Sequence, residues 1–141
     1  MKLKNGVAIS GVAVVLAGCG AHSHMLTKDS APELLKGEFS HGQTNRLVLE
    51  SSNRQYEATG FKVEKHQNWA ELSRRYRGTD PKHWDRIFAG HDKEHETYSV
   101  EAKAVAKDAA ELNCKLAWPS GKTPQGLCVD KAGKEFVVRF D

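Results

Sequence analysis

Between Tyr98 and Trp118 the chain alternates apolar and polar residues with a period of two. Tyr98, Val100, Ala102, Ala104 and Ala106 are interleaved with Ser99, Glu101, Lys103 and Lys107, and only Val105 breaks the rhythm. Leu112, Cys114, Leu116 and Trp118 then continue it without a fault. Side chains on a strand point alternately to opposite faces, so this period lines one face with apolar groups. Ala and Lys favour helix by intrinsic propensity, but the second run keeps the same period. The two runs therefore predict adjacent strands with a turn over 107–110. Further on, Leu127-Cys128-Val129 predicts a short strand. Lys131 to Lys134 predicts a turn, and Phe136, Val138 and Phe140 alternate again.

The first half carries similar signals. Residues 38–40 are a short strand candidate. Residues 46–63 predict a hairpin, with Ser51-Ser52-Asn53-Arg54 as its turn and Gly60 as a bulge. Two short helices are expected next. Asn68-Trp69-Ala70-Glu71 has the polar cap and the acidic residue three places on that start a helix. Trp69, Leu72 and Tyr76 share one helical face, and Gly78 is placed to stop it. Asp80-Pro81 opens a second helix, with Trp84, Ile87 and Phe88 on its apolar face and Gly90 at its end. The expected class is α+β: a small antiparallel sheet or partly open β-barrel with two short inserted helices and one disulfide.

The N-terminus points to export. Lys2 and Lys4 precede an apolar run from Val7 to Leu16, which is too short to span a bilayer. Leu16-Ala17-Gly18-Cys19 then resembles the lipobox of a bacterial lipoprotein signal peptide. The resemblance covers residues 1–19 and assigns no family to the rest of the chain. It implies cleavage before Cys19 and a lipid on the Cys19 sulfur. A single acyl chain holds a protein only marginally, so firm anchoring needs more than one. It also implies a location in the bacterial envelope. In the enterobacterial sorting scheme Asp in the next position favours the inner membrane; Gly20 and Ala21 follow here, which favours the outer membrane. The expected organisation is a signal peptide over 1–18, a lipidated Cys and flexible tether over 19–36, and one globular domain over 37–141.

Removing the signal peptide takes away two lysines and no acid, leaving 19 basic and 18 acidic residues. A nucleic-acid binder carries a strong basic excess, so nucleic acid is not an expected partner. With Cys19 taken by lipid, Cys114 and Cys128 remain. An oxidising periplasm permits their disulfide. Two free thiols or a metal pair are the rival readings, although fourteen positions is not metal-knuckle spacing.

Few residues suggest chemistry. His91 and His95 are four apart, which on a helix puts both imidazoles on one face where a metal can be held. His83 lies eight positions earlier. His22 and His24 form a weaker pair within the expected tether. Without a third ligand fixed by spacing, all of these read first as solvated histidines. Arg74, Arg75 and Arg77 crowd one helix end, where they can meet an anionic partner or simply complement the helix dipole. Trp69, Trp84 and Trp118 read as core residues before they read as a sugar-stacking platform. No nucleophile elbow, phosphate-binding glycine loop or His-Glu-Xaa-Xaa-His motif occurs. No catalytic residue and no cofactor is therefore expected.

The leading expectation is a membrane-anchored, non-enzymatic envelope module that binds a protein or polymer in the periplasm or at the cell surface. Metal capture through His91 and His95 is one alternative. The other rests on the closing pattern of a strand Cys, Gly126-Leu127-Cys128 and a glycine turn into Phe136-Val137-Val138. That pattern is loosely similar to membrane-bound lysozyme-inhibitor lipoproteins, which are small disulfide-bearing β-barrels. The similarity implies such a barrel and lysozyme as the partner.

Overall fold

The computed structural model describes residues 22–75 and 95–141. Nine strands and one helix follow in order. β1 is His22–Met25, β2 Leu34–His41, β3 Arg46–Ser51, β4 Gln55–Thr59 and β5 Val63–His66. Then come α1 (Trp69–Arg75), β6 (Thr97–Val105), β7 (Glu111–Pro119), β8 (Gln125–Asp130) and β9 (Glu135–Arg139). All nine strands belong to one antiparallel sheet ordered β1-β2-β3-β4-β6-β7-β8-β9, with β5 also paired to β6. The sheet curls into a half-barrel.

This corrects the expected α+β class. Among the described residues nine strands stand against one seven-residue helix, so the fold is nearly all β. Of the two expected inserted helices, the first is the short seven-residue α1; Asp80 to Gly90 lie outside the described residues. The signal peptide and Cys19 also lie outside them. The tether expected over 19–36 is corrected as well. Residues 22–25 are a strand paired to β2, and β2 itself starts at Leu34. The polar composition of 20–35 hid this, and only part of the segment, residues 25–31, bonds to the far end of the chain.

The core follows the period-two pattern. Val100, Ala102, Ala104 and Ala106 point inward with Leu112, Cys114, Leu116 and Trp118, and meet Phe39, Leu47, Leu49, Val138 and Phe140. Val105, out of rhythm in sequence, points outward and is 41% exposed. The β6–β7 pairing runs unbroken from Thr97↔Pro119 to Val105↔Glu111. The alternating alanines match the confined inner face of a curved sheet, where large side chains on every strand would overfill the interior.

β4 and β5 act as one bent strand against β6. The register slips by one residue between Glu57↔Val105 and Val63↔Val100. Gly60, at φ 72°, lies at that break, and a glycine takes this left-handed conformation without steric cost. α1 is capped as expected: Asn68 Oδ1 accepts from the Glu71 amide at 2.9 Å, and Glu71 Oε2 accepts from the Gln67 amide at 2.7 Å. Its Trp69 and Leu72 are buried, and the helix rests on β5 and β6. Beneath this cover His66 Nε2 and Ser99 Oγ, both buried, lie 2.8 Å apart.

The two ends of the sheet are stitched together. Leu26 bridges to Phe140, and the backbone amides of Thr27 and Ala31 donate to the carbonyls of Arg139 and Val137 at 2.8 and 2.7 Å. The Asp141 amide donates to the Met25 carbonyl at 3.0 Å. Ser30 completes the seam by accepting from the Arg139 amide at 2.9 Å through its hydroxyl oxygen. The segment following β1 thus occupies the place of a last strand, which leaves less open edge for other chains to pair with.

Candidate functional site

The seam brings β1 and β2 to the mouth of the half-barrel, and with them three histidines. On β1, His22 and His24 stand two positions apart and so share a face. On β2, His41 is the register partner of His22. Directly opposed side chains in an antiparallel pair are in contact, and diagonal ones are within reach of long or aromatic groups. The His41 ring accordingly lies 4.9 Å from His22 and 5.3 Å from His24, between centroids, at 19° and 12° to them. The Nε2 atoms of His24 and His41 are 3.2 Å apart. On its other side His24 Nδ1 lies 3.2 Å from the main-chain oxygen of Asp141.

An aromatic floor supports these rings. Phe39 lies 5.2 Å from His41 and 5.9 Å from Phe61; Trp118 lies 5.0 Å from His41 and stacks on Tyr98 at 5.7 Å. Trp118 and Phe39 are buried core residues, as period two requires. Trp118, Tyr98 and the histidines bound a cavity of about 770 Å³, with Asn45, Lys62, Val63, Ser120, Gly121 and Lys122 along its sides. Lys62 and Lys122 are exposed at its rim. Asn45 is held by a hydrogen bond from its Nδ2 to the Phe61 carbonyl at 2.6 Å.

The electrostatics follow from this packing. Burial pushes the His41 imidazole down from 6.5 to about 4, and the neighbouring His22 and His24 rings add to the effect. His41 is therefore neutral at physiological pH and holds a lone pair. His24 has its tautomer set by Asp141. That main-chain oxygen serves as acceptor, so the hydrogen bond requires Nδ1–H, and in the neutral ring Nε2 is the lone-pair nitrogen. No carboxylate lines the cavity among the described residues. The site therefore offers imidazole nitrogens, flat apolar faces and two flanking lysines.

The sequence-derived candidates fall elsewhere. His83 and His91 lie outside the described residues; His95 is exposed just ahead of β6. Among the described residues no three His, Cys, Asp or Glu side chains close on a single point. Arg74 is exposed, while Arg77 and the side chain of Arg75 lie outside the described part. Trp69 and Trp118 are buried, as expected of core residues, and Trp84 lies outside the described part. Cys114 and Cys128 form a disulfide between register partners on β7 and β8.

Sequence reasoning passed over His41 and set His22 and His24 aside as tether residues. The signal was present in small form: His-Ser-His and Phe-Ser-His both have period two. What local sequence does not disclose is that the two triplets pair. Comparison of the chain with protein-family models, curated proteins and solved structures finds no match.

Proposed function

We propose that this chain is a lipid-anchored bacterial envelope protein that works as a non-enzymatic binding module. The observation that carries the binding part is the cavity at the mouth of the half-barrel, where His24, His41, Tyr98 and Trp118 converge. Most binding cavities share this make-up: a largely apolar lining with a few converging polar groups. The anchor rests on Leu16-Ala17-Gly18-Cys19 behind a short apolar run. Lipid at Cys19 places the domain within a few residues of a membrane, since β1 begins at His22. The half-barrel then sits close to the bilayer, and the favoured location is the outer membrane. The partner is an envelope protein or polymer.

Two measurements test this. Cells grown with radiolabelled palmitate yield a labelled band that disappears in Cys19→Ser; an unlabelled wild-type band overturns the anchor. Formaldehyde treatment of intact cells then yields adducts through the rim amines of Lys62 and Lys122. Those adducts are lost in the double variant Lys62→Gln/Lys122→Gln. Absence of adducts, or adducts indifferent to the substitutions, overturns binding at this cavity.

A second reading is inhibition of lysozyme. It is favoured by the antiparallel half-barrel with a disulfide between neighbouring strands, the architecture that the similarity to lysozyme-inhibitor lipoproteins implies. A lysozyme assay with micromolar protein decides it: unimpaired cell-wall lysis removes the reading.

A further inference from the structure

We infer that His24 and His41 form a site for a divalent transition metal, Cu²⁺ above Zn²⁺, at the mouth of the half-barrel. The inference deepens the binding-module reading by naming a ligand class for the same cavity. Three observations carry it. First, the two Nε2 atoms are 3.2 Å apart. Imidazole nitrogens bind such metals at roughly 2.0–2.1 Å, so one ion can bridge this pair at an N–metal–N angle of about 100°. That angle lies between square-planar and tetrahedral values, within the range these metals accept.

Second, the backbone oxygen of Asp141 accepts from His24 Nδ1 at 3.2 Å. A ligating histidine commonly donates its other N–H to an oxygen in this way, which orients the ring and directs the free nitrogen at the ion. Third, the rings are held from behind by Phe39 and Trp118. The two donors are thus pre-positioned by packing on two hydrogen-bonded strands. A loop would hold them far less rigidly.

The two protein ligands leave further coordination positions to water or to a bound partner; the exposed His22 packs its ring on His41, 4.9 Å away, instead of completing a three-residue set. An all-nitrogen, uncharged ligand set disfavours Ca²⁺ and Mg²⁺, which demand oxygen. It suits borderline cations, and affinity among these peaks at Cu²⁺. The alternative use of the same geometry is a plain N–H···N hydrogen bond from His41 to His24.

The experiment uses the full chain, extracted in a non-chelating detergent, purified without a histidine tag and stripped with a chelator. Calorimetric titration with Cu²⁺ is expected to show one equivalent bound, with Zn²⁺ weaker at the same stoichiometry. His24→Gln and His41→Gln each lower the affinity at least 100-fold while thermal melting shows them folded. A second measurement needs no variant. Substoichiometric Cu²⁺ broadens the imidazole resonances of His24 and His41 in the wild-type NMR spectrum before those of other histidines. Failure to bind, unchanged affinity in both variants, or broadening centred on His83, His91 and His95 overturns the inference. Each of those outcomes leaves palmitate labelling and rim cross-linking untouched, so the two readings fail separately.

Discussion

Ala109 adopts φ 69° in the turn between β6 and β7, the one non-glycine residue with positive φ among those described. The left-handed conformation costs an L-residue roughly 1–2 kcal/mol. Here it is held by the Ala106 amide donating to the Ala110 carbonyl at 2.9 Å and the Ala109 amide to the Ala106 carbonyl at 3.0 Å. Ala109→Gly relieves the strain at some cost in unfolded-chain entropy. The expected result is a gain of about 0.5–1 kcal/mol, read as a rise in melting temperature; a fall would show that the turn is not strained. His41 makes a second prediction at this scale. Its folded pKa, about 4, lies below the unfolded 6.5, so the unfolded chain binds the proton more readily. The His41 contribution is absent above pH 6.5, and stability declines as pH falls from 6.5 toward 4. Carboxylates such as Asp108, lowered by Arg54, and Glu33, lowered by Lys134, also lose stability in acid. Urea unfolding of wild type and His41→Gln between pH 4 and 7 separates them: the variant is expected to show the shallower decline.

At the scale of elements, β7 and β8 approach closely. Their strands carry the disulfide, and at Gly126 a Cβ would run into the Lys115 carbonyl. The obstruction is backbone, so no rotamer change relieves it. Gly126→Ala is expected to break the local pairing at a cost of about 2–3 kcal/mol, on the scale of an overpacked core. Amide exchange would locate the damage: loss of protection confined to β8 and β9 is the expected pattern. Removing the disulfide with Cys114→Ala/Cys128→Ala is expected to cost about 3 kcal/mol for a loop of this length, measured by chemical denaturation. A change under 1 kcal/mol would mean that strand pairing alone holds the two together. Much of this level was legible in the sequence. The strands at 98–106, 112–118, 127–129 and 136–140 appear within a residue or two, because alternation is a local consequence of one buried face. The Asn68 cap was legible for the same reason.

For the whole molecule, the decisive feature is the seam between residues 25–31 and β9. Ser30 is 7% exposed and bonds both backbone groups of Arg139, accepting from its amide and donating to its carbonyl at 3.2 Å. Ser30→Ala leaves those groups without their side-chain partner, and a buried unsatisfied group costs about 1–3 kcal/mol. The expected loss is in that range, with exchange protection falling in both β9 and the 25–31 segment. Loss in β9 alone would show that the two ends are not one cooperative unit. By itself, the order of residues marked the strands from 98 to 140 and the apolar face of each, offered Cys114 and Cys128 as a candidate pair, and placed a leader resembling a lipobox. Those properties depend on neighbours along the chain or on counting. Only the tertiary structure decided that the supposed tether is a strand, that one bent sheet replaces an α+β layout, and that His22, His24 and His41 meet. Each of these depends on hydrogen bonds between residues more than a hundred positions apart, or on the register between two short strands. Neither leaves a mark in local composition.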